Sequence, residues 1–92
     1  MTFLFKVEVA FEISGRGCVI VPAMVEGADW KIRQGDSIQL RTPDGRTINT
    51  QITSVEFLKP AVGKCRMAVV LSSKVLKRDV PNGTDVWLIQ SQ

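Results

Sequence analysis

The chain has 92 residues with 12 basic and 9 acidic side chains, a net charge of +3, which sets one domain over residues 1–92 as the expectation. With 45% hydrophobic and 23% charged residues the balance is globular and excludes a disordered chain. There is no histidine, which removes Ser-His-Asp and Cys-His triads, histidine general bases and most zinc sites in one step.

Phe5, Val7, Val9, Phe11 and Ile13 alternate with Lys6, Glu8, Ala10 and Glu12, a period of two that predicts a strand with one continuous buried row. Ser14-Gly15-Arg16-Gly17 ends it, since two glycines permit positive φ and a tight bend. Cys18–Val25 reads as a second strand, apolar enough to be covered on both faces, with Pro22 at an edge or a bulge. Glu26–Asp29 is a turn, and Trp30 and Ile32 lead to Arg33-Gln34-Gly35-Asp36. Ser37–Arg41 is a third strand. Thr42-Pro43-Asp44-Gly45 is a turn that makes a hairpin with a long fourth strand, Arg46–Leu58. In that strand Ile48, Thr50 and Ile52 share one parity and Val55 and Phe57 the other, so a β-bulge is expected near Thr53-Ser54. Pro60 and Gly63 mark a loop and Lys64–Leu71 a fifth strand. Ser72–Arg78 is polar and basic, with Val75 and Leu76 as buried anchors and one helical turn at Lys77-Arg78-Asp79. Pro81-Asn82-Gly83 turns into a last strand, Thr84–Gln90, where Trp87 and Ile89 oppose Val86 and Leu88. The sum is an all-β barrel or sandwich of six or seven short strands, and at this length a small closed or partly open barrel is expected, since closure manages the edges.

Cys18 and Cys65 lie in apolar stretches and read as small buried residues; a disulfide would need an oxidising compartment, to which nothing here directs the chain. No apolar run approaches the roughly 18 residues of a membrane span. Met1–Phe5 is too short for a signal-peptide core, with Lys6 and Glu8 after it. A cytoplasmic protein with no membrane contact is the expectation. Lys59, Lys64, Arg66, Lys74, Lys77 and Arg78 follow one another with no acidic residue between them, so that segment is +6 and the rest of the chain −3. Two readings stand for it: one basic face for a polyanion, or solvated residues that keep sheet edges soluble.

Four segments in register carry a resemblance. Phe11-Glu12-Ile13-Ser14-Gly15-Arg16-Gly17 resembles the F-x-I-x-G-R-G segment opening the second domain of translational GTPases of the elongation factor Tu type. Ile32–Ile38 resembles their I-x-x-G-D-x-V turn and strand, and Ile52–Phe57 their V-x-x-I/V-E-x segment. Val69–Leu71 with Lys77–Gly83 resembles their L-x-x-G-I-x-x-x-D-I-x-x-G pattern. The match runs from about Phe5 to Ile89. It implies a Greek-key barrel without the GTPase domain, and no phosphate loop or other site for a nucleoside triphosphate is present. It also implies a surface for the aminoacylated 3′ end of tRNA. Carried over, the matching positions are Glu8, Phe11, Arg16, Glu56 and Leu71: Glu56 faces the terminal adenine, Leu71 lines the same pocket, Arg16 stacks or meets phosphate, and Phe11 borders the amino-acid pocket. Val21-Pro22, Val9 and Ser72-Ser73 depart from the family's residues.

The plain structural readings stand beside these. Gly15-Arg16-Gly17 shapes a bend, Phe11 belongs to the core and Glu56 faces solvent. Trp30 and Trp87 are either base-stacking platforms or barrel plugs. Two functions follow. One is RNA binding, of tRNA or rRNA, with Lys74, Lys77 and Arg78 added to the carried-over residues. The other is docking on a translation factor, a toxin or another protein partner through apolar residues such as Val75, Leu76 or Trp30. Catalysis is not expected: no metal, cofactor or nucleotide group is implied, and Asp36 and Asp44 sit at turns, where aspartate has a structural reason to be.

Overall fold

The computed structural model describes residues 1–15, 17–23, 32–58 and 66–89, with backbone only at residues 57, 58 and 66. Six strands, β1 (Thr2–Ile13), β2 (Gly17–Pro22), β3 (Ser37–Arg41), β4 (Thr47–Leu58), β5 (Arg66–Leu71) and β6 (Asp85–Leu88), close into an antiparallel barrel in the order β1-β2-β5-β4-β3-β6. β3, β4 and β5 are consecutive neighbours and β6 returns beside β3, which is the Greek-key arrangement. Among the described residues the one other element is the 3-10 turn Lys77–Asp79, at the position read as a helical turn.

The two 12-residue strands make the closure possible. β1 pairs with β6 through Thr2–Lys6 and with β2 through Val7–Ile13. β4 pairs with β3 through Thr47–Gln51 and with β5 through Ile52–Leu58. Each long strand therefore belongs to two sheets and bends between them, as corner strands do. The bends carry register shifts, at Val7/Val9 in β1 and Ile52/Ser54 in β4. In β4 the extra residue is Thr53, where the change of parity placed it. Its hydroxyl donates to the carbonyls of Val70 (3.0 Å) and Leu71 (3.4 Å), so the bulge is hydrogen-bonded to the neighbouring strand.

The bulge in β1 corrects the single row expected over Phe5–Ile13. Phe5 and Val7 point into the barrel, but the extra residue, Glu8, moves Ala10 to the inside and turns Val9, Phe11 and Ile13 outward. A one-residue slip exchanges the faces of all that follows it. Pro22, which has no N–H to give the ladder, pairs with Val7 at this shift.

The interior is filled by Phe5, Val7, Ile20, Ile38, Leu40, Ile52, Val69, Leu71 and Val86, with Val75 and Val80 closing one end. β2 is buried on both faces, as its unbroken apolar run implied. Outside the wall, Val19, Ala68 and Val70 form a second buried cluster, on which Phe11 and Ile13 pack. Leu76, expected as an anchor, is 38% exposed, because the 3-10 turn begins there and directs its side chain outward, leaving the anchoring to Val75.

Candidate functional site

The connection from β5 to β6 carries three exposed cations, Lys74, Lys77 and Arg78. Ser72 accepts from the Val75 N–H (2.9 Å) through its carbonyl, which closes the first turn. The 3-10 turn follows, with the Asp79 carboxylate accepting from the Leu76 N–H at 3.0 Å. Asp79 also lies 4.0 Å from Arg46. The opposite wall is tied in by Glu12 of β1, whose carboxylate accepts the Lys77 backbone N–H at 2.8 Å. The two residues are far apart in sequence, and only barrel closure brings them together.

Between β1 and this connection runs an open cleft. Ala10, Leu76, Val80 and Pro81 give it an apolar floor, and Glu12, Lys77, Arg78 and Asn82 a polar rim. Lys77 and Arg78 are exposed, and no carboxylate among the described residues pairs with either side chain. Lys74 is exposed as well, but borders a separate depression with Asn49, Gln51 and Ser72. The three cations thus lie on one connection, distributed over two neighbouring hollows.

A third hollow, at the barrel end, is lined by Glu12, Ser14, Gly15, Gly17, Cys18, Ser73 and Leu76. Gly17 is obligatory there: its φ is +97°, and a Cβ would stand 3.3 Å from the Ser73 Cα and 3.4 Å from the Leu71 carbonyl oxygen. Cys18 is free and buried, and burial first, then the nearby charges of Glu12 and Asp79, push its thiol up to about 11. It is an inert neutral thiol at pH 7. Asp44, in the β3–β4 turn, is held below the usual carboxylate range by the hydrogen bond from the Thr42 hydroxyl and by Arg46.

The remaining candidates are dispersed. Phe11 and Glu56 share the outer face of the β1-β2-β5-β4 sheet, where the pairs Phe11–Val19, Val19–Val70 and Glu56–Ala68 place the Val19/Ala68/Val70 cluster between them. Glu8 is exposed at the β1 bulge. Leu71 is a correction: it is fully buried in the barrel interior, because it pairs with the inward-facing Ile52, so its side chain lines no surface pocket. Val75 is likewise buried and offers nothing to a protein partner. Arg16, Trp30, Lys59, Lys64 and Cys65 lie outside the described residues, as does the side chain of Arg66.

Trp87 is no barrel plug. It stands on the outer wall, edge to face with Phe3 at 5.3 Å and with the Arg41 guanidinium 4.6 Å from its ring centroid. Among the described residues no three His, Cys, Asp or Glu side chains are grouped to hold a metal ion, and no helix is long and apolar enough to cross a membrane. No family model matches the chain, and no curated protein or solved structure matches it.

Proposed function

We propose that this barrel is a non-catalytic, cytoplasmic binding module of the translation-factor type that grips RNA, a tRNA acceptor end or rRNA, through Lys74, Lys77 and Arg78. The observation that carries the reading is the cationic connection itself: three exposed cations without carboxylate partners among the described residues, two of them beside an apolar-floored cleft. Phosphate contacts supply most of the affinity of such a surface, and an apolar floor beside them suits a base or ribose. The resemblance to the elongation factor Tu barrel selects RNA among polyanions. The reading involves no nucleoside triphosphate and no cofactor.

A second reading rests on Leu76, which is 38% exposed in the same connection and would be the apolar anchor of a translation-related protein. Retention of partners from cell extract on the tagged full chain, with and without ribonuclease, separates the two. The RNA reading expects tRNA or rRNA to be retained, and to be lost when Lys74, Lys77 and Arg78 are all replaced by Ala. A ribonuclease-resistant protein whose retention needs Leu76 and not the three cations overturns it.

A further inference from the structure

We propose that the outer face of the β4-β3-β6-β1 sheet is a second RNA contact, a shelf on which the bases of a single strand stack; it rests on the RNA reading above. The register places Asn49, Gln39, Trp87 and Phe3 opposite one another on four successive strands. At roughly 4.8 Å per strand this row is about 14 Å long, the scale on which four-stranded sheets seat two or three bases. Phe3 is 47% exposed, an aromatic ring on open sheet surface.

The polar groups of the row are joined in one direction. The Arg41 Nε donates to the Gln39 side-chain oxygen (2.8 Å), and the Gln39 Nε2 donates to the Asn49 Oδ1 (3.1 Å). Each amide oxygen uses one of its two lone pairs within the row. What remains for a ligand is the Arg41 Nη groups at one end and the free amide N–H groups of Gln39 and Asn49, with one lone pair left on each amide oxygen. Arg41 is also held against the Trp87 ring, so its guanidinium is a fixed plane, and bases stack on such planes as they do on aromatic rings. The Trp87 Nε1 is buried with no acceptor among the described residues.

Charge points the same way. Asp85 on this face is taken by Lys6 at 2.9 Å, and Arg41 has no carboxylate partner among the described residues. A surface that offers rings, a cation without a carboxylate partner among the described residues and amide N–H donors complements a strand rich in phosphate oxygens, base carbonyls and π faces. It is also continuous with the cationic connection, because Asn49 borders the hollow of Lys74.

The test uses the full chain with Trp30→Phe, which leaves Trp87 as its one tryptophan, and a 12-nucleotide oligouridylate and its duplex with oligoadenylate as probes. The expected result is quenching of Trp87 by the single strand and not by the duplex. Phe3→Ala should weaken single-strand binding about five- to a hundred-fold, Phe3→Tyr should keep it, and both should melt near the parent. Single-strand binding that leaves Trp87 fluorescence unchanged, or that Phe3→Ala does not weaken, overturns the shelf. If the Lys74/Lys77/Arg78 triple Ala variant then abolishes that binding, the RNA reading itself survives. Self-association that Phe3→Ala disperses and oligouridylate does not compete with would assign the face to a second copy and also overturn the proposal.

Discussion

The barrel wall has two outer faces, and they are built to different ends. On the β1-β2-β5-β4 sheet the cross-strand row reads Phe11, Val19, Val70 and Ser54, and both valines are almost fully buried although they point away from the barrel interior. On the β4-β3-β6-β1 sheet the row reads Asn49, Gln39, Trp87 and Phe3, with amides hydrogen-bonded to each other and rings partly open to water. The first face contributes apolar burial to stability, at roughly 25 cal/mol per Å². The second gives up that burial and keeps groups able to meet a ligand. In a closed barrel no strand edge is left to bind through, so recognition must use faces, connections and ends.

The sharpest way to break the comparison is to put the same charge on both faces. Val70→Asp buries an unpaired carboxylate and should cost about 3–5 kcal/mol. Thr47→Asp, exposed and opposite Arg41, should change stability by no more than about 0.5 kcal/mol. Denaturant midpoints of the two variants measure the difference, and equal losses would erase the distinction between the faces.

The next effect lies where the buried face begins. Gly17→Ala places a Cβ against the Ser73 backbone and forces a left-handed φ on a residue that resists it, which should cost about 1–3 kcal/mol. Gly15→Ala has the same conformational strain but no contact within 4 Å, so it should cost less. A smaller loss, about 1 kcal/mol, is expected for Thr53→Val, which removes the hydroxyl bond at the corner where β4 passes between the sheets. Thermal unfolding orders these three variants.

The last effect is a pH dependence, absent at neutral pH and felt only in alkaline solution. Cys18 has its native value raised to about 11, against about 8.5 in an unfolded chain. Its contribution to stability is complete below the unfolded value and declines as pH rises from there towards 11. The stability difference between the parent and Cys18→Ala should therefore fall above about pH 8.5, and unfolding at stepped pH reads it.

Much of this architecture is legible in the residues. Thr42-Pro43-Asp44-Gly45 and the parity change at Thr53 locate a hairpin and a corner because turn chemistry and period two act locally. The β1 bulge is different. Its alternation runs unbroken from Phe5 to Ile13, and both faces of the second half can bury apolar groups, so only pairing with β2 decides which row turns outward. That single slip moved Phe11 out of the core. Leu71 went the other way, into the interior, through its pairing with Ile52. The contact from Glu12 to Lys77 and the Asn49–Gln39–Trp87–Phe3 row have no local signal, since each depends on strands that are distant in the chain.

The central claim, that the cationic connection grips RNA, is tested most directly by the salt dependence of oligoribonucleotide binding in the parent and in the Lys74/Lys77/Arg78 triple Ala variant. Each phosphate contact on a single strand contributes about 0.7 to the slope of log affinity against log salt. The triple variant should bind more weakly, with a slope shallower by about 2. Parallel lines of equal affinity would contradict the claim and remove these three side chains from the RNA interface.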